Sequence, residues 1–151
     1  MYFEDIEIGM TASKTKTITD ADIFGFAGIS GDMNPMHLDD EYAEKHIFKS
    51  RVAHGLISAG LFSAILGMDL PGPGCLYTGQ ILNFRAPVFP GDTVTATVEI
   101  LDKVEKGGRV FVQCTARVGN TVVVEGNGQV SVPKRSKNEC DWGEPKGNEV
   151  W

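Results

Sequence analysis

The sequence predicts an α+β protein in which an antiparallel sheet of about five strands encloses one buried helix. Three observations carry this. Residues 53–68 are apolar on nearly every side, and a helix of that kind must be wrapped by other structure. The second half of the chain is a succession of β-prone runs, at 77–86, 93–104, 109–118 and 121–132. The breaks between these runs are short, which calls for antiparallel strands, because parallel neighbours need crossovers of about a dozen residues or more.

Each element has its own signal. Residues 11–18 (TASKTKTI) alternate loosely and are rich in threonine, as suits a first strand near a sheet edge, where lysines discourage unwanted pairing. Thr19 then reads as an N-cap, with Asp20 and Asp22 at the positive end of a helix over 21–27. That helix presents Ile23, Phe24, Phe26 and Ala27 and is expected to stop near Gly28. Asp39 or Asp40 can cap a second short helix, DEYAEKHIF, which places Tyr42, Ala43 and Ile47 at helical spacing and should lie over the core. Leu70-Pro71-Gly72-Pro73-Gly74 ends the buried helix. In the sheet, the turns are marked by Pro87, Pro90, Gly91 and Asp92, by Lys106, Gly107 and Gly108, and by the hairpin signal Gly119-Asn120. After Pro133 the alternation is lost and the chain turns polar. The expected organisation is one domain over 1–133 and a loosely held tail over 134–151, which Trp142 and Trp151 could pin to the body or to a partner chain.

Composition narrows the class of function. A chain of 151 residues, 42% hydrophobic and 23% charged, suits a single ordinary globular domain. The net charge of -6, with both signs interspersed, offers nothing to nucleic acid or to an anionic membrane surface. Cys75, Cys114 and Cys140 show no metal or redox spacing, which favours reduced thiols and a cytoplasmic protein. The opening MYFEDIEIG is acidic where a signal peptide is basic, and 53–68 is shorter than the roughly 20 residues a spanning helix needs.

Chemistry concentrates in residues 30–55, SGDMNPMHLDDEYAEKHIFKSRVAHG. On a continuous helix Asp32 and His37 would point roughly 140° apart. The Asn34-Pro35 step prevents such a helix, because the residue before proline is pushed out of the helical region, and so lets the two groups converge. A carboxylate and an imidazole that reach one water can take its proton and return one to a substrate. Asn34 can hold the turn or add a donor. The same residues also suit a plain turn and a surface histidine. Gly55, at the start of the buried helix, has a backbone N–H free of any intrahelical acceptor and no side chain to keep a carbonyl away. It could equally be a glycine that lets the helix start against a strand. His54 is expected to anchor the loop. A metal set of His37, Asp39, Asp40 and His46 lacks any recognised ligand pattern, and Ser58 and Ser63 have no base in reach by spacing.

GDMNPMHLDDEYA followed by AHGLISAGL resembles the hydratase signature of the MaoC-like, (R)-specific enoyl-CoA hydratase family, and FEDIEIG, ITDADI and FRAPVFPGDTV extend the resemblance over residues 2–132. It implies a hot dog fold, a sheet wrapped around a central helix, with a helical overhang carrying the motif. It implies Asp32 and His37 as the catalytic pair that activates water, Asn34 in support, and Gly55 as the N–H that binds the thioester carbonyl. The implied reaction is reversible addition of water to a trans-2-enoyl thioester of coenzyme A or acyl carrier protein, giving the (R)-3-hydroxyacyl thioester. The alternatives are an acyl-CoA thioesterase or a non-catalytic acyl-CoA-binding protein on the same fold. No metal or separate cofactor is implied, coenzyme A being part of the substrate. Homodimers or dimers of dimers with sheets joined edge to edge are also implied, with Leu61 and Ile65 along the acyl pocket and Arg85, Lys103 or Arg109 toward the coenzyme A phosphates.

Overall fold

The computed structural model describes residues 1–135. The expected tail therefore lies almost wholly outside the described residues, as do Trp142 and Trp151. After a single 3-10 turn at Phe3–Asp5 come β1 (Thr11–Thr17), α1 (Asp20–Ser30), α2 (Pro35–Leu38), α3 (Asp40–Glu44) and α4 (Gly55–Met68). Four strands follow: β2 (Leu76–Phe84), β3 (Thr93–Val104), β4 (Arg109–Val118) and β5 (Thr121–Ser131). They form one five-stranded antiparallel sheet in the order β1-β3-β4-β5-β2, curled around α4, which is the hot dog arrangement.

The core follows from strand alternation. Val94, Ala96, Val98 and Ile100 of β3 and Val110, Val112, Cys114 and Ala116 of β4 are all fully buried, every second residue facing inward. Leu61, Phe62, Ile65 and Leu66 of α4 join them in one cluster. Truncating Phe62 or Ile65 to alanine would cost about 2–5 kcal/mol, a large part of a domain's stability.

Three expectations need correction. The β2–β3 connection, although short, does not make a hairpin, and β2 instead pairs with β5. Three interstrand spacings of about 4.8 Å separate β2 from β3, a span that segment 85–92 covers easily when extended. The first helix runs through Gly28 to Ser30 and is closed by Gly31, whose φ of 77° provides the left-handed cap. An interior glycine costs a helix only about 1 kcal/mol, so Gly28 does not stop it. The second short helix ends at Glu44, not Phe48, as Tyr42 and Ala43 carbonyls accept from Lys45 and His46 in a tightened last turn, and Ile47 is exposed.

The first strand is an edge, as expected, and its threonines have a structural use. Ser13, Thr15 and Thr17 share hydroxyl hydrogen bonds with Thr97, Thr95 and Thr93 across the outer face. Its lysines are paired, Lys14 with Asp69 and Lys16 with Asp22. The wrapping of α4 is one-sided in the single chain: Leu56, Gly60, Ser63 and Met68 are exposed on its outer face.

Candidate active site

The overhang between β1 and α4 builds the site through local caps. Thr19 and Asp22 form a reciprocal capping box that starts α1. The Thr19 hydrogen bonds hold the Asp22 carboxyl below its ordinary range. Beyond Gly31 the side chains direct the turn: Ser30 Oγ accepts from the Asp32 N–H, Asp32 Oδ1 from the Asn34 N–H, and Asn34 Oδ1 from the Met36 N–H. Asn34 is thus the N-cap of α2, with Pro35 in the first helical position, where its missing N–H is not needed. The amide oxygen of Asn34 holds the turn, which leaves its Nδ2 as the group able to face a ligand.

This turn brings Asp32 and His37 together, with Asp32 Oδ2 4.0 Å from His37 Nε2. His37 Nδ1 lies 2.7 Å from the Val52 carbonyl. A carbonyl only accepts, so the proton sits on Nδ1 and the lone pair of a neutral ring is on Nε2, toward Asp32. A gap of 4.0 Å is too wide for direct hydrogen bonding, yet a water about 2.8 Å from each group fits at the apex. The Asp32 side chain is 51% exposed and that of His37 13%, so the carboxylate meets solvent while the imidazole is largely covered.

His54 belongs to the site more closely than a loop anchor. It is the N-cap residue of α4 and 3% exposed. Its Nε2–H donates to the Asp32 carbonyl at 3.0 Å, its ring centre lies 3.8 Å from that of His37, and Phe26 packs on it at 4.9 Å. His54 therefore backs both catalytic candidates. The signal available in the sequence was its position immediately before Gly55.

Gly55 opens α4, so its N–H has no intrahelical acceptor and stands at the positive end of the helix. The lack of a side chain is also a packing requirement. A Cβ there would lie 2.5 Å from Phe84 Cδ1, so the ring of β2 occupies that space. The reading of Gly55 as a glycine that lets the helix start against a strand therefore holds.

Other groups are engaged elsewhere. Arg85 pairs with Glu125 at 2.7 Å, Lys103 Nζ donates to the Ile6 carbonyl, and Arg109 Nε donates to Lys106 O. Leu61 and Ile65 are core residues. Burial pushes the Cys114 thiol up to about 11 and raises that of Cys75, which keeps both protonated and poor nucleophiles. Of the residues weighed above as metal ligands, Asp39 caps α3, Asp40 pairs with Arg51, and His46 stacks on Tyr42. Among the described residues the donor atoms of Asp32, His37 and His54 do lie within 4.8 Å of one another. The His54 Nε2–H, committed to the Asp32 carbonyl, offers no lone pair for a metal in this tautomer.

The family model for a MaoC like domain matches residues 4–124. The chain belongs to the MaoC-like family. Among curated MaoC-like relatives, an (R)-specific enoyl-CoA hydratase of Rhodospirillum rubrum is 51% identical over 89% of this chain and 93% of its own. A 3-hydroxybutyryl-CoA dehydratase of Methylorubrum extorquens is 48% identical over 93% of this chain and 88% of its own. The unliganded R-hydratase of Pseudomonas aeruginosa superposes with a TM-score of 0.83 at 39% identity, covering 88% of this chain and 86% of that one.

Proposed function

We propose that this protein is an (R)-specific enoyl-CoA hydratase, a hydro-lyase that adds water reversibly across a trans-2-enoyl thioester. The observation that carries this reading is His37 Nε2, 4.0 Å from the Asp32 carboxylate with Nδ1 tied to the Val52 carbonyl, beside the N-terminus of α4. The hydratase and dehydratase relatives support it. In the proposed reaction Asp32 and His37 hold one water, and the pair takes a proton as the oxygen bonds to C3. The π electrons of the C2–C3 bond shift so that negative charge gathers on the thioester oxygen. The Gly55 N–H and the helix terminus stabilise that charge, an effect on the order of 3 kcal/mol for one donor. The carbonyl re-forms as the pair returns a proton to C2, leaving the (R)-3-hydroxyacyl thioester. Which of the two groups holds the proton between these steps belongs to the pair as a unit. Asn34 supports the turn and can offer Nδ2 to the substrate. We assign no metal or cofactor beyond the coenzyme A or acyl carrier protein that bears the acyl chain.

The test is hydration of crotonyl-CoA by Asp32→Asn and His37→Gln. Each variant should fold normally and lose about 10²- to 10⁴-fold in turnover. Near-wild-type rates in both would remove these roles. Thiol release from a saturated acyl-CoA would instead support a thioesterase.

We also infer a homodimer joined through β2. The two sheet edges differ: β1 is polar with paired lysines, whereas β2 exposes Tyr77, Ile81 and Phe84, and Leu56 of α4 is exposed as well. An unpaired edge carrying apolar side chains favours another strand. Light scattering should give a dimer mass, and Ile81→Lys should shift it toward the monomer; an unaltered monomer mass for wild type would reject the interface. Among the described residues no helix is long and apolar enough to cross a membrane. Among the described residues Cys75 and Cys114 form no disulfide, which supports a cytoplasmic location.

A further inference from the structure

His37 owes its position to ties from outside its own helix. At four residues, α2 is too short to be stable alone, since helices below about 12 residues are marginal in water. The ties come from the segment ahead of α4. Val52 O accepts from His37 Nδ1, and the Val52 N–H donates to Met36 O at 3.3 Å. Arg51, the residue before it, grips the same turn from the other side. Its Nη1 donates to the His37 carbonyl at 3.4 Å, Nε to Asp40 Oδ1 at 2.6 Å, and Nη2 to Asp20 Oδ1 at 2.9 Å. The guanidinium also sits over Phe24, 5.8 Å from the ring centre. One side chain therefore ties the start of α1, the end of the His37 turn and the start of α3.

We propose that Arg51 is a positioning residue for the reaction: pinned by Asp20 and Asp40, its guanidinium sets the α2 turn and so the placement of His37 Nε2 opposite Asp32. The inference rests on the hydratase reading. Burial distinguishes this arrangement from an ordinary surface pair. The Arg51 side chain is 13% exposed, against 43% for Lys16 in its pair with Asp22 on the same α1. The planar fork matters as much as the charge, because the donors must diverge toward two carboxylates and a carbonyl. A lysine ammonium can supply the charge but not that fixed divergence.

The experiment compares Arg51→Met, Arg51→Lys and Lys16→Met, each alone, and places Arg51→Met also in a His37→Gln background. It measures kcat and KM for crotonyl-CoA, thermal stability and the His37 ring NMR signals. Displacing a reacting group by an ångström can cost about 10²-fold, so Arg51→Met should lower kcat by about 10- to 100-fold and change KM by less than about two-fold. Arg51→Lys should recover part of the loss, and Lys16→Met should keep wild-type kcat. In the His37→Gln background Arg51→Met should remove little more, whereas a purely structural residue would cost the same factor in both. Wild-type kcat in folded Arg51→Met, or an equal loss in both backgrounds, overturns the proposal. If Arg51→Met does not fold, Arg51→Lys decides: reduced kcat at unchanged KM supports the role, and wild-type kcat overturns it. If the wild-type protein does not hydrate crotonyl-CoA, the hydratase reading falls. The His37 ring signals then still judge Arg51, since signals that shift in folded Arg51→Met support the placement and unshifted signals overturn it.

Discussion

Asp32 sits on a turn between two helices with half its side chain in water, whereas His54 and Gly55, facing it, begin a 14-residue helix whose inner face is in the core. The first wall is held by caps a few residues apart and by the Arg51–Val52 segment. The second is held by the packing of α4 on the sheet and by Phe84 against Gly55. This difference separates two kinds of requirement. In the proposed reaction, groups that exchange protons need water and can sit on a lightly built turn, while an N–H that is to receive the carbonyl must not move as charge develops. Changes to the first wall should therefore cost activity with little stability, and changes to the second should cost both.

The largest effect tests the first wall. Asp32→Asn and His37→Gln combined should lose no more turnover than the worse of the two alone, as expected of groups serving one water. Multiplicative losses in crotonyl-CoA hydration would mean separate tasks. Next comes Gly55→Ala, whose methyl group meets the Phe84 ring. Overpacking of this kind costs about 1–3 kcal/mol, so melting temperature and kcat should fall together. Adding Phe84→Ala should return part of the stability, and an unchanged melting temperature in Gly55→Ala would break the contrast between the walls. The smallest effect is at the joint between them. His54→Phe keeps an aromatic ring against His37 and Phe26 but deletes the bond to the Asp32 carbonyl, a loss of about 1 kcal/mol by denaturant melts. Hydration should slow by about tenfold or less, as the proton-transfer groups remain. A collapse to the level of His37→Gln would place His54 in the chemistry itself.

The two walls were also unequally legible in the sequence. Asp32, Asn34, Pro35 and His37 could be read because their grouping is local and the chemistry of an Asn-Pro turn dictates how the chain bends. The strands and α4 could be read from periodicity, and β3 and β4 agree with the sequence in both bounds. What could not be read depends on contacts distant in the chain. The pairing of β2 with β5 requires knowing that the sheet curls around α4. The contact of the His54 ring with that of His37 joins the cap of α4 to α2. Arg51 carries no local signal, because the carboxylates at positions 20 and 40 that converge on it are distant in the chain. Gly28 and Gly31 differ only in which one needs a positive φ, and α1 continues through the first to stop at the second.

The central claim is that this site delivers water to C3 of an enoyl thioester. The direct measurement is to incubate the wild-type protein with crotonyl-CoA, following enoyl absorbance and free thiol together, and to determine the configuration of the product. The account requires loss of absorbance without thiol release and formation of the (R)-3-hydroxybutyryl thioester. Release of thiol, an (S) product or persistence of the enoyl absorbance would contradict it.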